Sequence, residues 1–309
     1  MDTSAVTAAD IMTTRLHTTL PATHVRDAIG HLLQNNVSGL PVVQQSQFAG
    51  RFSEGTAIAA LELADMEYTG NLSPLHAVKA SDLLHQNIVL RSCTDTFTAV
   101  SLLLENRVSG APVVDDQGML LGVFSEKSAT RVFVGLCWEQ LPSARVTAWL
   151  DRDERRRISE GTRLDEIIDR FHGSAFRRLM VVRDGLLVGQ VNRRDTLRAA
   201  TDRIDPGKAG ILTERANPNK VMTVGAWMDR QIPTISQHAD VLTIAQLFIH
   251  SSARQLPVVD NMNLIGQISR SDLLRAVERF FPQHKNAAPG VQPLYLSSVH
   301  TGEKVSALS

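Results

Sequence analysis

The sequence predicts an α/β (α+β) fold assembled from four copies of one βαββα unit, and three observations predict it. A short apolar run recurs as Gly39-Leu-Pro-Val-Val43, Gly110-Ala-Pro-Val-Val114, Arg178-Leu-Met-Val-Val182 and Gln255-Leu-Pro-Val-Val259. Each run is followed by a second apolar run carrying a glycine, at Gly50, Gly122, Gly189 and Gly266, spaced by 72, 67 and 77 residues. Each is preceded by a segment with apolar residues at helical spacing. Self-similarity on this period fixes the architecture before any local detail does.

The unit reads most plainly in its last copy. Arg254–Asp260 and Leu264–Ser269 are both too short for a helix and flank the polar turn Asp260-Asn261-Met262-Asn263, which predicts a β-hairpin. Ser269-Arg-Ser-Asp272 then opens a helix through Leu273, Leu274, Val277 and Phe280, because polar oxygens can satisfy free N–H groups at a helix start. The preceding helices are expected over Thr23–Asn35 (Val25, Ile29, Leu32 and Leu33 on one face), Asp95–Asn106, Thr162–Phe171 and Asp240–His250. Further upstream, Asp10-Ile-Met12, Asp82-Leu-Leu84, Ala148-Trp-Leu150 and Ala226-Trp-Met228 are expected to supply a first strand. The repeats are placed at 8–65, 77–136, 144–202 and 221–281. Polar connectors are expected at 69–74 and 206–219, and a tail without periodicity at 282–309.

Composition narrows the function classes. Of 309 residues, 32 are basic and 32 acidic, so no basic excess points to nucleic acid. No apolar run reaches membrane-spanning length, which predicts no membrane partner and a cytoplasmic location. Cys93 and Cys137 are too few for a disulfide framework. Phosphate-loop, His-Glu-x-x-His and Gly-x-Ser-x-Gly patterns are absent, so neither an enzyme, a catalytic cofactor nor a metal site is expected. The charged run Asp151–Arg157 is expected to be a solvated turn.

The Gly-x-Pro-Val-Val runs, the following Gly-x-x-Ser and the helix-opening Asp resemble CBS domains, in four copies covering nearly the whole chain. The resemblance implies that repeats pair into two Bateman modules whose clefts bind adenine nucleotides or adenosyl compounds. Four repeats in one chain are similar to the regulatory γ subunit of the AMP-activated kinase, which implies two modules in one flat disc.

Asp195 and Asp272 lie three residues after Asn192 and Ser269, at the first turn of a helix. A carboxylate there can accept from the vicinal hydroxyls of a ribose, or it can simply cap its helix. The resemblance favours the ribose role and implies Asn192 and Ser269 as polar partners. Arg177, Arg178, Arg193 and Arg194 accompany the third repeat, and Arg254 and Arg270 the fourth; planar guanidinium forks suit phosphates. By resemblance, Arg178 and Gln255 take the phosphate-facing position, and Met180, Val191 and Ile268 form apolar walls for the adenine. Met180 stands where the family has Pro, and Asn192 where it has Ser or Thr. The first two repeats carry Thr56 and Ser128 in place of the Asp and only Arg51 and Lys127 as cations. They are therefore expected to be a structural or partner-binding half.

Together these residues predict a cytosolic regulatory sensor that holds an adenine nucleotide between repeats 3 and 4 and signals to an effector protein. The alternative is a ligand-free scaffold for protein–protein interaction. A homodimer is left open.

Overall fold

The computed structural model describes residues 6–63, 75, 77–84, 88–137, 145–204, 222–251 and 253–280. The expected connectors at 69–74 and 206–219, the tail and Trp138 lie outside the described residues. Within them the chain runs α1 (Ala8–Ile11), α2 (Val25–Gln34), β1 (Gly39–Gln44), β2 (Gln47–Ser53) and α3 (Glu54–Leu63) in the first repeat. The second has β3 (Leu90–Arg91), α4 (Thr96–Glu105), β4 (Gly110–Val114), β5 (Leu120–Ser125) and α5 (Glu126–Cys137). The third has β6 (Arg157–Ile158), α6 (Leu164–His172), β7 (Arg178–Arg183), β8 (Leu186–Asn192) and α7 (Arg193–Ile204). The fourth has β9 (Ile235–Ser236), α8 (Val241–His250), β10 (Gln255–Asp260), β11 (Asn263–Ser269) and α9 (Arg270–Phe280).

The predicted hairpins and helices form where their patterns place them. Asp95 caps α4 by accepting from the N–H groups of Phe97 and Thr98, both at 3.0 Å, and Asp240 caps α8 from Thr243 at 2.7 Å. All four hairpins carry a register shift at the Val-Val step, beside the residue that faces the recurring glycine. The leading segments differ from expectation. They are short helical turns (α1, 80–83, 146–149 and 224–226) rather than strands, and the first strand comes after them. Met12, Leu84 and Leu150 each end such a turn, and Met228 follows Trp227, which ends the fourth.

These leaders explain the glycines. Each crosses to the partner repeat and lies on its second strand: Thr13 bridges Val123, Asp151 bridges Gln267 and Asp229 bridges Gln190. A Cβ added at Gly50 would meet Leu84 at 2.9 Å, one at Gly122 would meet Met12, one at Gly189 would meet Met228, and one at Gly266 would meet the Asp151 carbonyl oxygen at 2.9 Å. The leader backbones and side chains occupy the space a side chain would need. Within each module the hairpins also meet edge to edge, through Gln47 and Met119 in the first and Leu186 and Asn263 in the second. Repeats 3 and 4 thereby share a six-stranded sheet of order β6-β7-β8-β11-β10-β9.

The modules pack repeat on repeat. One apolar core holds Ile58 and Leu61 of α3 together with Ile167, Ile168, Leu197 and Ala200 of repeat 3. Another holds Leu103 and Phe124 of repeat 2 with Leu274 and Val277 of α9. Polar contacts span the same seams: Glu54 accepts from Arg194, and Glu126 accepts from the Ser271 hydroxyl at 2.6 Å.

The crossover predicts a graded response to added methyl groups. Gly266→Ala should destabilise the protein by about 1–3 kcal/mol, because the atom it meets is backbone. Gly30→Ala, in open space inside α2, should stabilise by about 1 kcal/mol. Urea unfolding of the two variants checks this; equal effects would contradict the packing described.

Candidate functional site

The crossing of the third leader onto the fourth repeat builds a cavity of about 830 Å³. One wall is the leader itself, Asp151 to Arg156; a second is the loop Gly173–Arg177 before β7. The third carries Arg254, Gln255, Ser269, Ser271, Asp272 and Arg275 of repeat 4, and Leu103 to Arg107 and Glu126 of repeat 2 complete the rim. Among the described residues no group of three or more His, Cys, Asp or Glu could hold a metal ion.

Asp272 sits in the first turn of α9 and faces two demands at once. Its Oδ2 accepts from the Ser269 N–H at 2.8 Å and from the Ser269 hydroxyl at 2.6 Å, while its own N–H donates to Ser269 Oγ at 3.2 Å. That is a helix cap. Among the described residues its Oδ1 meets only Arg275 Nη1 at 3.2 Å, on an exposed side chain, and so retains acceptor capacity toward the cavity. Gln255 is 9% exposed, and its side-chain carbonyl has no hydrogen-bond partner among the described residues. A buried amide oxygen in that state is suited to accept from an amino group of a ligand. Opposite them the Arg156 guanidinium stacks 4.1 Å from the Phe176 ring centroid and lies 2.6 Å from Asp151 Oδ2.

Asp195 does not line this cavity, nor do Asn192 and Arg178. The two carboxylates therefore stand in separate places rather than converging. Asp195 receives the Asn192 N–H at 3.4 Å and donates its own N–H to Asn192 Oδ1 at 3.0 Å. Arg178 beside it donates to Gln190 Oε1 at 2.9 Å, and Gln190 in turn donates to Asp229 Oδ2 at 3.0 Å. Burial pushes the Asp195 carboxyl up, against the lowering influence of the Asn192 N–H, Arg198 and Arg178.

The arginines divide into different jobs. Arg177 and Arg254 line the cavity. Arg194 does not. It donates to Glu54 Oε1 at 2.8 and 3.0 Å and to the Asn36 side chain, tying repeat 3 to repeat 1. Arg270, expected to grip phosphate here, braces the end of α8 instead: its Nη2 donates to the carbonyls of Phe248 and Ser251 at 3.0 and 3.1 Å. Arg193 does the same for α6, with Phe171 and Ser174 at 3.0 and 2.9 Å. Positive charge at a helix C-terminus is favourable, and burial holds both guanidiniums down at about 10.

The expected apolar walls are also elsewhere. Val191 and Ile268 belong to the helix-facing cores, and Met180 packs with Leu187, Val259 and Leu264. Strand parity forbids a common wall from Met180 and Val191: Val191 pairs with Leu179, the neighbour of Met180, so the two point to opposite faces. Conversely, Asp151–Arg156 is only partly a solvated turn: Arg152, Glu154 and Arg155 are exposed, while Asp151 and Arg156 are half-buried on the cavity wall. The missed signal is a repeated pair: Leu150-Asp151 with Gly266-Gln267, and Met228-Asp229 with Gly189-Gln190. Gln267 and Gln190 donate to Asp151 and Asp229 at 3.2 and 3.0 Å, marking the crossover in both C-terminal repeats.

The raised Asp195 carboxyl gives a pH prediction. A folded value above the ordinary 3.8 means the group stabilises the fold fully below that value and loses this contribution as pH rises through the folded value. Asp195→Asn should therefore raise the melting temperature at pH 7.5, with the gain vanishing below about pH 4. Thermal melts across pH check this, and a variant less stable at neutral pH would contradict it.

Comparison with known proteins places this geometry. The CBS domain family matches at residues 8–63, 87–135, 156–202 and 224–279. Protein MJ1225 of Methanocaldococcus jannaschii is 24% identical over 280 residues, spanning 84% of this chain and 95% of that protein. Its crystal structure, of a protein proposed as an archaeal homologue of γ-AMPK, has a TM-score of 0.74 at 22% identity, covering 87% of this chain and 99% of its own. An uncharacterised conserved protein of Pyrococcus horikoshii has a TM-score of 0.55 at 22% identity, covering 88% of this chain and all of its own. CBSX2 of Arabidopsis thaliana is 28% identical over 148 residues, 40% of this chain and 62% of that protein. With four matched copies across most of its length, the chain belongs to the CBS-domain family.

Proposed function

We propose that the protein is a regulatory sensor that binds an adenine nucleotide or related adenosyl compound in the C-terminal module and passes the signal to an effector protein. The observation that carries this is the cavity between repeats 3 and 4, with Asp272, Ser269, Gln255, Arg177 and Arg254 on its walls. Its volume lies in the range that encloses small ligands. The Oδ1 of Asp272, which accepts from Arg275, has a lone pair left for ribose hydroxyls, the Gln255 carbonyl is an acceptor for an amino group, and the two arginines are a seat for phosphate. Asp195, Asn192 and Arg178 hold the corresponding positions of repeat 3, with Asp195 bonded to Asn192 and Arg178 to Gln190.

Signalling follows from the rim. Glu126 and Leu103 to Arg107 belong to the N-terminal module, so a ligand in the cavity touches both halves of the chain. A ligand that prefers one setting of the Ser271–Glu126 contact shifts the balance between module orientations, and a partner protein reads the result.

Thermal stabilisation by AMP, ADP, ATP, NAD and S-adenosylmethionine tests this reading. A one-site ligand at 100 times its dissociation constant adds about 2.7 kcal/mol. Stabilisation by at least one of them is expected, and Asp272→Asn should weaken it about 10- to 100-fold in affinity. No shift at millimolar concentration with any of the five would contradict the reading.

A further inference from the structure

The N-terminal module, which has Thr56 and Ser128 at the positions of Asp195 and Asp272, holds a second cavity of about 220 Å³ between repeats 1 and 2. Gly39 and Pro41 on one side and Gly110 and Pro112 on the other form its narrow walls. Its charge is one-sided: Arg51, Lys127, Arg254 and Arg270 line it against the single acid Glu126, which is already engaged by the Ser271 hydroxyl. Two of those cations belong to repeat 4, so the opposite module closes the cavity.

The cations are poorly compensated. Arg51 stands where Gln190 and Gln267 stand in the hairpins of repeats 3 and 4, yet no described residue hydrogen-bonds or ion-pairs with its guanidinium. Burial first, then the neighbouring Arg177 and Arg254, hold Arg51 down at about 10. Glu54, the acid that would offset them, is taken by Arg194. Arg270 is 3% exposed, and although its Nη2 is satisfied, its Nε has no partner among the described residues. Buried like charges without partners are costly, and a multivalent anion removes that cost. The ligand is not read through ribose: Thr56 and Ser128, at the carboxylate positions, are turned to Ser53 and Ser125 at 3.0 and 3.1 Å.

We propose that this N-terminal cavity is a binding site for a small oligophosphate group, seated by Arg51 and Lys127 from one module and Arg254 and Arg270 from the other. Bound there, the anion clamps the two modules together. Arg254 lines both cavities, so occupancy of one alters the charge available to the other. The site does not rest on the adenosine reading, because Arg51, Lys127 and Arg270 line this cavity and not the other, and Arg254 alone is shared.

Calorimetric titration of the full chain with inorganic tripolyphosphate at low ionic strength tests this. Binding is expected, weakened about tenfold or more by Arg51→Gln and by Lys127→Gln, and changed less than about twofold by Arg275→Gln, which lines only the C-terminal cavity. Lys127 is exposed, so its variant decides the matter if Arg51→Gln does not fold. Absence of binding at millimolar tripolyphosphate would overturn the proposal, as would binding that Arg275→Gln weakens and Lys127→Gln leaves intact.

Discussion

The structure depends on one packing constraint: the leader of each repeat lies across the second strand of its partner, on a glycine that leaves room for it. A single repeat cannot satisfy this alone, because the strand it exposes is covered by the other copy. The same crossing carries Asp151 to Arg156 over to repeat 4 and makes that segment a wall of the cavity beside Asp272. Fold and site are thus consequences of one contact. Four hairpins with the same bulge at the same Val-Val step keep the crossing in register.

Electrostatics is the second organising theme. The helix starts of the four repeats bring Arg193, Arg194 and Arg270 together with Glu54, Glu126, Asp195 and Asp272, and the hairpins and the segments before them add Arg51, Arg177 and Arg254. The chain disposes of some guanidiniums locally, Arg193 on the carbonyl end of α6 and Arg194 on Glu54, while Arg270 commits its Nη2 to the end of α8 and keeps an Nε with no partner among the described residues. Arg51, Arg177 and Arg254 keep mutual repulsion instead. Residual charge of one sign at a junction between two bodies is a natural place for an anionic ligand to act on their relative setting.

Much of this was legible in the sequence, and the reason is periodicity. Hairpins, helices and repeat number follow from spacing alone, and Gly50, Gly122, Gly189 and Gly266 marked the hairpins before their packing role was visible. Ser269, Asp272, Arg177, Arg254 and Gln255 were named from the sequence, and they meet in one cavity. What sequence could not give was the destination of long side chains. Arg194 and Arg270 carry the same guanidinium as Arg254, and only the positions of Glu54 and the carbonyls of Phe248 and Ser251 separate their roles. Met180 and Val191 fall on opposite faces of their hairpin, which two apolar residues on separate strands do not reveal until the register is known. Asp151–Arg156 was dismissed because its neighbours in space belong to another repeat.

The central claim is that an adenosine-type ligand lies between the leader of repeat 3 and the first turn of α9. Photo-crosslinking with 8-azido-AMP, followed by peptide mapping, tests it most directly. The account predicts label on peptides bearing Phe176 or Gln255, competed by unmodified AMP. Competed label found only on residues outside the lining of this cavity would contradict it.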